Sequence, residues 1–243
     1  MVPCMRVVLL RYTSEPEEAV VAAARMCYSS EDLNGLLCSV EGIDHRKFLE
    51  KILSLGHFSI LEHASFTFGI EGISRAASHQ LVRHRLASYA QKSQRYVKEN
   101  RLFDYIMPPS IAGQPSLRQA FERLMGEVFQ LYSRYLSEGI PAEDARYVLP
   151  NASETKMIVT MNARELHHFF RLRCCYRAQW EIRQLAGLML GEVKKVAPIL
   201  FHKAGPPCLS QSCPEGKMSC GRQNEVRKQF RDEESEEDVP EIR

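Results

Sequence analysis

Three arginines, a histidine and two serines crowd into the thirteen-residue stretch RHRLASYAQKSQR, as Arg83, His84, Arg85, Ser88, Ser93 and Arg95. A guanidinium is a planar fork that grips phosphate through parallel hydrogen bonds and stacks on flat rings; an ammonium reproduces neither geometry. Such a cluster is suited to a polyanion with a ring attached. The alternative is a solvated basic turn or a nucleic-acid patch, the commoner fate of arginine-rich segments. Context favours the ligand. The preceding Ser74–Val82 reads as a short helix with Ala76, Ala77, Leu81 and Val82 apolar, so the arginines arrive at a helix end rather than along an open flank.

A second polar cluster lies in NARELHHFFRLR, with Asn162, Arg164, His168 and Arg173. Arg164 and His168 are four apart and share a helical face, and Arg173 follows near the helix end. Taken alone, Arg164 and Arg173 are as readily surface partners of Glu165 and Glu181, and His167-His168 a packing pair at the core edge. Elimination sharpens the choice. No glycines form GxGxxG or GxxxxGK[ST], and no GxSxG elbow occurs, so side chains must do the gripping.

The pattern RHRxxSxxxxSxR resembles the signature of the flavin-dependent thymidylate synthases. With six fixed positions, a chance match in a chain of this length is roughly a few in a million. ARYVLP (145–150), NAR (162–164) and RxxxxAQWEI (173–182) are similar to further blocks of that family, so the resemblance covers about residues 5–200. It implies an α+β fold, a mixed or antiparallel sheet flanked by helices with one long helical segment. Residues 1–200 would be the catalytic domain and 201–243 a cysteine-bearing, acidic extension.

Carried over residue by residue, the resemblance implies that dUMP is held by Gln80, Arg83, Gln91, Lys92, Ser93, Gln94, Arg95, Arg146 and Arg173, its phosphate by Ser93, Arg95 and Arg146. FAD would be held by Ser59, Arg83, His84, Arg85, Gln91, Asn162, Arg164 and His168, with His57 near the flavin. The implied reaction is reductive methylation of dUMP to dTMP, with NADPH as reductant and 5,10-methylenetetrahydrofolate as carbon donor. A homotetramer with sites built from several subunits is implied as well. Arg173 takes the catalytic role: a guanidinium at the uracil edge stabilises charge where it develops and enriches C5 without a protein nucleophile. Ser93 has no evident base and is assigned to binding. The flavin-free thymidylate synthases use a cysteine after proline; Pro3-Cys4 and Pro207-Cys208 share that dipeptide but no surrounding context.

These side chains need a scaffold. Met5–Arg11 reads as a buried strand. Ser14 is placed as the cap of a helix with Pro16 in its first turn and Val20, Val21, Ala24 and Met26 inward. Residues 29–44 read as a loop, His45–Leu55 as a helix, and Gly56–His63 as a turn entering a strand, Ala64–Ile70. Ser116–Ser137 is the longest helix; its Leu117, Phe121, Leu124, Val128, Leu131 and Tyr135 keep helical spacing, as core or as a subunit interface. Pro141–Leu149 reads as a short helix, Thr155–Met161 as a strand, and Glu165–Cys174 and Gln179–Val196 as helices, the last burying Ile182, Leu185, Leu188 and Met189. No βαβ repetition appears, which suggests α+β on its own account.

At 243 residues and 44% hydrophobic content, one sizeable domain is expected. Residues 231–243 hold seven acids against two arginines, a local charge of −5 that leaves +7 on the rest. That balance suits an anionic small molecule and does not demand nucleic acid. Val7–Leu10 is too short for a leader and no apolar run approaches a membrane span, so a soluble, cytoplasmic chain with reduced thiols is expected. Gln223–Arg243 is expected to be helical at most briefly, then disordered.

Metal reads ambiguously. His57, Glu62 and His63 lack HExxH spacing. His202, Cys208, Cys213 and Cys220 stand at intervals compatible with zinc or another soft metal, but without CxxC, and free thiols in a surface segment are the competing reading. No metal is assigned from sequence.

Overall fold

The computed structural model describes residues 4–40, 42–99 and 102–237, with side chains up to residue 230. Strand β1 (Arg6–Tyr12) is followed by α1 (Pro16–Met26), α2 (Leu33–Val40), α3 (His45–Ser54), a 3-10 turn at Phe58–His63, β2 (Ser65–Ser74), α4 (Arg75–Leu81) and β3 (Ala87–Gln91). Next come α5 (Pro109–Ala112), α6 (Pro115–Ser137), α7 (Ala142–Ala145) with a 3-10 turn at Arg146–Val148, and β4 (Glu154–Asn162). After these stand α8 (Ala163–Arg173), α9 (Trp180–Val196), α10 (Pro198–Phe201), 3-10 turns at Pro207–Leu209 and Gly216–Met218, and α11 (Gln223–Glu237). The strands form one sheet in the order β1-β2-β4-β3, the expected α+β mixture of helices and antiparallel sheet. No helix among the described residues is long and apolar enough to cross a membrane.

The chain divides into two units whose boundaries fall inside strands, after Val8, Thr67 and Thr160. The first unit comprises the start of the chain to Val8 and Phe68–Thr160; the second comprises Leu9–Thr67 and the chain from Met161 onward.

In the first unit α4 begins at Ser74, whose hydroxyl accepts from the Ala77 amide at 3.0 Å. Its end is pinned by Tyr89, whose hydroxyl meets the carbonyls of Leu81 (2.9 Å) and His84 (2.7 Å) and so fixes the turn that carries the arginine motif. Helix α6 stops where Gly139 takes a positive φ of 86°. Gly72 in β2 has φ +72°, and a Cβ there would lie 2.3 Å from the carbonyl oxygen of Cys4, so only glycine lets the start of the chain pass.

In the second unit Phe201 is an aromatic hub. Phe66 and Phe170 approach it edge-on at 5.4 and 6.0 Å, and His167 stacks on it at 5.2 Å. Helix α8 continues directly from β4, because Asn162 ends the strand and caps the helix, its Oδ1 accepting from the Glu165 amide at 2.9 Å.

Several local expectations are corrected. β1 is not buried: Val8 and Leu10 are exposed because β1 is an edge strand with a single neighbour. Ser14 does not cap α1; the chain turns at Glu15 in the left-handed region (φ 44°) with no side-chain cap. Met26 is exposed while Val20, Val21 and Ala24 are buried.

Residues 33–40 are helix rather than loop. Asp32 Oδ1 accepts from the Gly35 amide at 2.8 Å, and Leu36 and Val40, four apart, are buried. Gly56–His63 is largely 3-10 helix, and Pro141–Leu149 tightens into a 3-10 turn from Arg146 onward. In α9 Leu188 is exposed although its expected neighbours are buried. α11 runs through 15 residues instead of a brief turn, anchored by buried Val226; residues 238–243 lie outside the described residues.

In α6 the expected apolar row is exposed at Leu117, Leu124 and Leu131, and the residues that it buries are Met125 and Tyr132. The other members of the row, Phe121, Val128 and Tyr135, are half-buried, and Phe121 packs against the Tyr105 ring at 5.8 Å.

Candidate active site

Most of the residues placed at the nucleotide lie in the first unit, and Arg173 lies in the second. Arg83 follows the end of α4, exposed, beside buried His84 and exposed Arg85. Gln80 lies in the last turn of that helix. On β3, Gln91 is locked: its Nε2 donates to Ser78 Oγ at 2.9 Å and to Thr155 Oγ1 at 3.1 Å. Beyond the strand, Ser93 Oγ accepts from the Arg95 amide at 3.2 Å, and the Val97 amide donates to the Ser93 carbonyl at 3.0 Å, which folds Ser93, Gln94 and Arg95 into a tight turn.

Two guanidiniums from distant positions then meet at one residue. Arg95 Nε lies 2.5 Å from the Glu143 carboxylate, and Arg146 Nε donates to the Glu143 main-chain carbonyl at 3.1 Å. The Arg95 guanidinium also covers the Tyr96 ring, 5.3 Å from its centroid. Arg75 belongs to the same neighbourhood: burial first, then the nearby charge of Arg146, pushes its pKa down. The turn therefore concentrates positive charge that favours an anion. Lys92 is the exception in its stretch. Its ammonium pairs with Glu99 at 2.6 Å, in a cavity also lined by Glu71, Asp104 and Glu154.

The second unit holds the remaining set. Ser59 lies exposed in the 3-10 turn after His57, whose Nε2 is 3.1 Å from the Tyr28 hydroxyl. Glu62 of the same turn pairs with Arg164 in the first turn of α8. Arg164 and His168 line a cavity of about 440 Å³ with apolar Leu53, Phe58 and Leu61 and with the further cations Arg171 and Lys203. The lining thus combines apolar and cationic side chains, which suits a flat ring carrying phosphate.

His167, one residue away, is a packing residue: Nε2 donates to the Leu200 carbonyl at 2.9 Å, and burial pushes its pKa down. Burial pushes the Glu165 carboxyl up, partly opposed by His168. Arg173, the last residue of α8, is half-buried, and that burial lowers its pKa. A guanidinium keeps its charge through such a shift, and poor hydration strengthens its pull on a neighbouring anion.

Sequence reasoning missed Glu143, Arg75, Ser78, Thr155, Arg171 and Lys203. Glu143 had a signal, standing three residues before Arg146 in a helical segment; Ser78 and Thr155 act only through a sheet pairing that no local pattern announces.

Comparison with known proteins places the chain in a family. Residues 8–199 match the family model described as thymidylate synthase complementing protein. The chain is 58% identical over 229 residues to the flavin-dependent thymidylate synthase of Geobacter sulfurreducens, covering 94% of this chain and 99% of that protein. It is 50% identical over 240 residues to the flavin-dependent thymidylate synthase of Clostridium tetani, covering 92% and 96%. Among solved structures it is similar to the UMP/dUMP methylase PolB from Streptomyces cacaoi bound with 5-Br dUMP, with a TM-score of 0.71 and 27% identity over 82% of this chain and 94% of that one. A family match over most of the chain, with relatives at least half identical over nearly their full length, leaves one conclusion: the chain belongs to the flavin-dependent thymidylate synthase family.

Proposed function

We propose that this protein is a flavin-dependent thymidylate synthase that converts dUMP to dTMP, with FAD as cofactor and NADPH and 5,10-methylenetetrahydrofolate as co-substrates. The observation that carries the reading is that Arg95, the last residue of the arginine motif, and Arg146 both bond to Glu143. The Arg95–Glu143 pair is about half exposed, so it contributes roughly 0–1 kcal/mol. A dianionic phosphate offers charge-assisted bonds of about 1.5–3 kcal/mol each and replaces the carboxylate.

In this reading Ser93, Arg95 and Arg146 take the phosphate, and Gln80, Arg83, Gln91, Lys92 and Gln94 line the nucleoside. Lys92 contributes through the segment that it belongs to, since its ammonium is engaged with Glu99. Ser59, Arg83, His84, Arg85, Gln91, Asn162, Arg164 and His168 hold the flavin, and the apolar Leu53, Phe58 and Leu61 that line a cavity with Arg164 fit a ring with phosphates attached. When bound, the flavin supplies hydride. Arg173 draws negative charge toward the N3/O4 edge of the uracil, which raises electron density at C5 and makes a protein nucleophile unnecessary.

The exposed Leu117, Leu124 and Leu131, seven residues apart on α6, support a homotetramer with sites assembled from more than one subunit. The free cysteines are compatible with the proposed cytoplasmic setting, and among the described residues no helix is long and apolar enough to cross a membrane. Residues 1–200 carry the chemistry and 201–243 form an extension.

The test is the purified protein's absorbance spectrum together with a turnover assay. A flavin band and dUMP-dependent dTMP formation, requiring NADPH and methylenetetrahydrofolate, are expected. A colourless protein that binds oligonucleotides with steep salt dependence would sink the reading.

A further inference from the structure

One face of α9 borders a cleft. Trp180, Arg183, Gly187, Gly191 and Lys194 succeed one another at helical spacing, and all five line a cavity of about 560 Å³ in the second unit. Tyr176 of the preceding turn and Phe230 of α11 line it as well. The opposite face of the helix is core: Ile182, Leu185, Ala186, Met189 and Val193 are buried.

The glycines open this space rather than admit a close helix contact. A Cβ built on Gly187 or on Gly191 would meet nothing within 4 Å. Glycine weakens a helix interior, so two of them four residues apart on the cleft side cost helix stability and leave room.

The cleft holds cations without acids. Lys194 is only 7% exposed, and lysine is almost never that buried unless paired. Its neighbour Lys195 pairs with Glu192 at 2.6 Å. Among the described residues no hydrogen bond or ion pair reaches Lys194, and no carboxylate lines the cavity. Arg183 is the second cation. Its Nη1 donates to the carbonyls of Tyr176 (3.1 Å) and Ala178 (3.3 Å), and the guanidinium lies 4.8 Å from the centre of the Tyr176 ring. Those contacts fix the fork in place and leave its charge unbalanced. Eleven residues, about 16 Å of helix, separate the two cations, with both glycines between them.

An aromatic and apolar lining with two unbalanced cations selects its occupant by shape and charge. We propose that this cleft binds a flat organic anion, its ring over Gly187 and Gly191 beside Trp180 and Phe230, its carboxylates at opposite ends toward Lys194 and Arg183. Residues 231–238, RDEESEED, follow Phe230 with many acids but carry no apolar side chain to fill the space. None of the residues assigned above to dUMP or flavin lines this cleft. Tyr176 also lines the cavity that contains Arg173 and His168, so an occupant bears on the turn that follows Arg173. Binding here does not depend on the proposed reaction.

Trp180 is the single tryptophan of the chain, so its emission reports this cleft directly. The full chain, with the flavin it carries, is titrated with benzene-1,4-dicarboxylate and, in parallel, with the uncharged benzene-1,4-dimethanol. The dicarboxylate is expected to change Trp180 emission saturably, with half-saturation below about 1 mM, and the diol to bind at least about tenfold more weakly. Lys194→Met keeps an unbranched side chain and removes the charge, and it is expected to weaken the dicarboxylate at least about tenfold. Should that variant fold poorly, Gly191→Leu decides, because leucine favours the helix and fills the cleft: Tm holds or rises while the emission change disappears. No saturable change up to about 10 mM, equal binding of the diol, or unchanged binding in both variants overturns the proposal. Two further outcomes overturn it by identifying another occupant. If replacing Glu233, Glu234, Glu236 and Glu237 by glutamine tightens the dicarboxylate about tenfold, the acidic end of the chain fills the cleft. If Gly191→Leu sediments as smaller species than wild type, a second copy covers it.

Discussion

Arg95 and Glu143 lie 2.5 Å apart, nitrogen to carboxylate, and the same glutamate offers its main-chain oxygen to Arg146. One acidic residue thus holds two guanidiniums from separate segments in place for an incoming anion. If the phosphate replaces the Glu143 carboxylate, Glu143→Gln removes a competitor, and the KM for dUMP is expected to stay unchanged or fall by up to about fivefold. Arg95→Ala is expected to raise that KM by roughly ten- to a hundredfold with flavin content intact. A rise of similar size in Glu143→Gln would mean that the carboxylate organises the site rather than yields it.

Arg173→Ala is expected to lower kcat by about 10²–10³-fold while the flavin absorbance is preserved, since the role assigned to Arg173 is stabilisation of developing charge. Arg173→Lys is expected to recover little, because an ammonium does not present the planar fork. Turnover within tenfold of wild type in Arg173→Ala would remove Arg173 from the chemistry.

His167 predicts an acid sensitivity of the fold. Burial holds its folded pKa below the ordinary value, so the unfolded chain binds the proton more readily. The stability contributed by the neutral ring is fully present above about pH 6.5 and is lost as pH falls through that value toward the lower folded pKa. His167→Gln is expected to flatten the fall in unfolding free energy between pH 7 and 5 by at most about 1.4 kcal/mol per pH unit. Denaturation midpoints at several pH values would show it, and an unchanged slope would refute it.

Gly72→Ala is expected to be among the most damaging single methyl additions. The new Cβ would meet a backbone carbonyl at 2.3 Å, at a positive φ that alanine resists. A loss of roughly 2–4 kcal/mol, read as a lowered Tm or as insoluble protein, is expected. A Tm within a degree or two of wild type would show that the start of the chain moves aside freely.

The double variant Leu124→Glu/Leu131→Glu places charge on the exposed row of α6. Sedimentation is expected to show wild type as a tetramer and the variant as smaller species, since an apolar seam does not tolerate paired carboxylates. A monomeric wild type would instead leave those leucines as ordinary exposed surface.

Much of the scaffold was legible because side-chain spacing reports burial. Arg75–Leu81, Pro115–Ser137 and Trp180–Val196 announce themselves as helices through apolar periodicity, although in Pro115–Ser137 the spacing gave the helix and not its buried face. α2 was missed because its one glycine and short length hide a two-residue buried stripe, Leu36 and Val40. Edge position, which leaves β1 half exposed, is a property of the sheet order and not of β1's own residues.

At the site the arginines were visible as residue types. The partners that hold them were not, because Glu143 lies 48 residues from Arg95 and Thr155 lies 64 from Gln91. Cys175 lines one cavity with Cys208, Cys213 and Cys220 for the same reason: folding brought together what the sequence keeps apart. Among the described residues no group of three His, Cys, Asp or Glu is placed to hold a metal ion.

The division of the chain after Val8, Thr67 and Thr160 bears on anyone who wishes to work with a fragment. Because the polypeptide leaves each region mid-strand and returns to it later, no single cut separates a self-sufficient piece; trimming either terminus takes material from a body completed elsewhere in the gene. A split version would need breaks at surface loops and co-expression of the parts, and a library of truncations should yield soluble protein only when nearly all of the chain is kept.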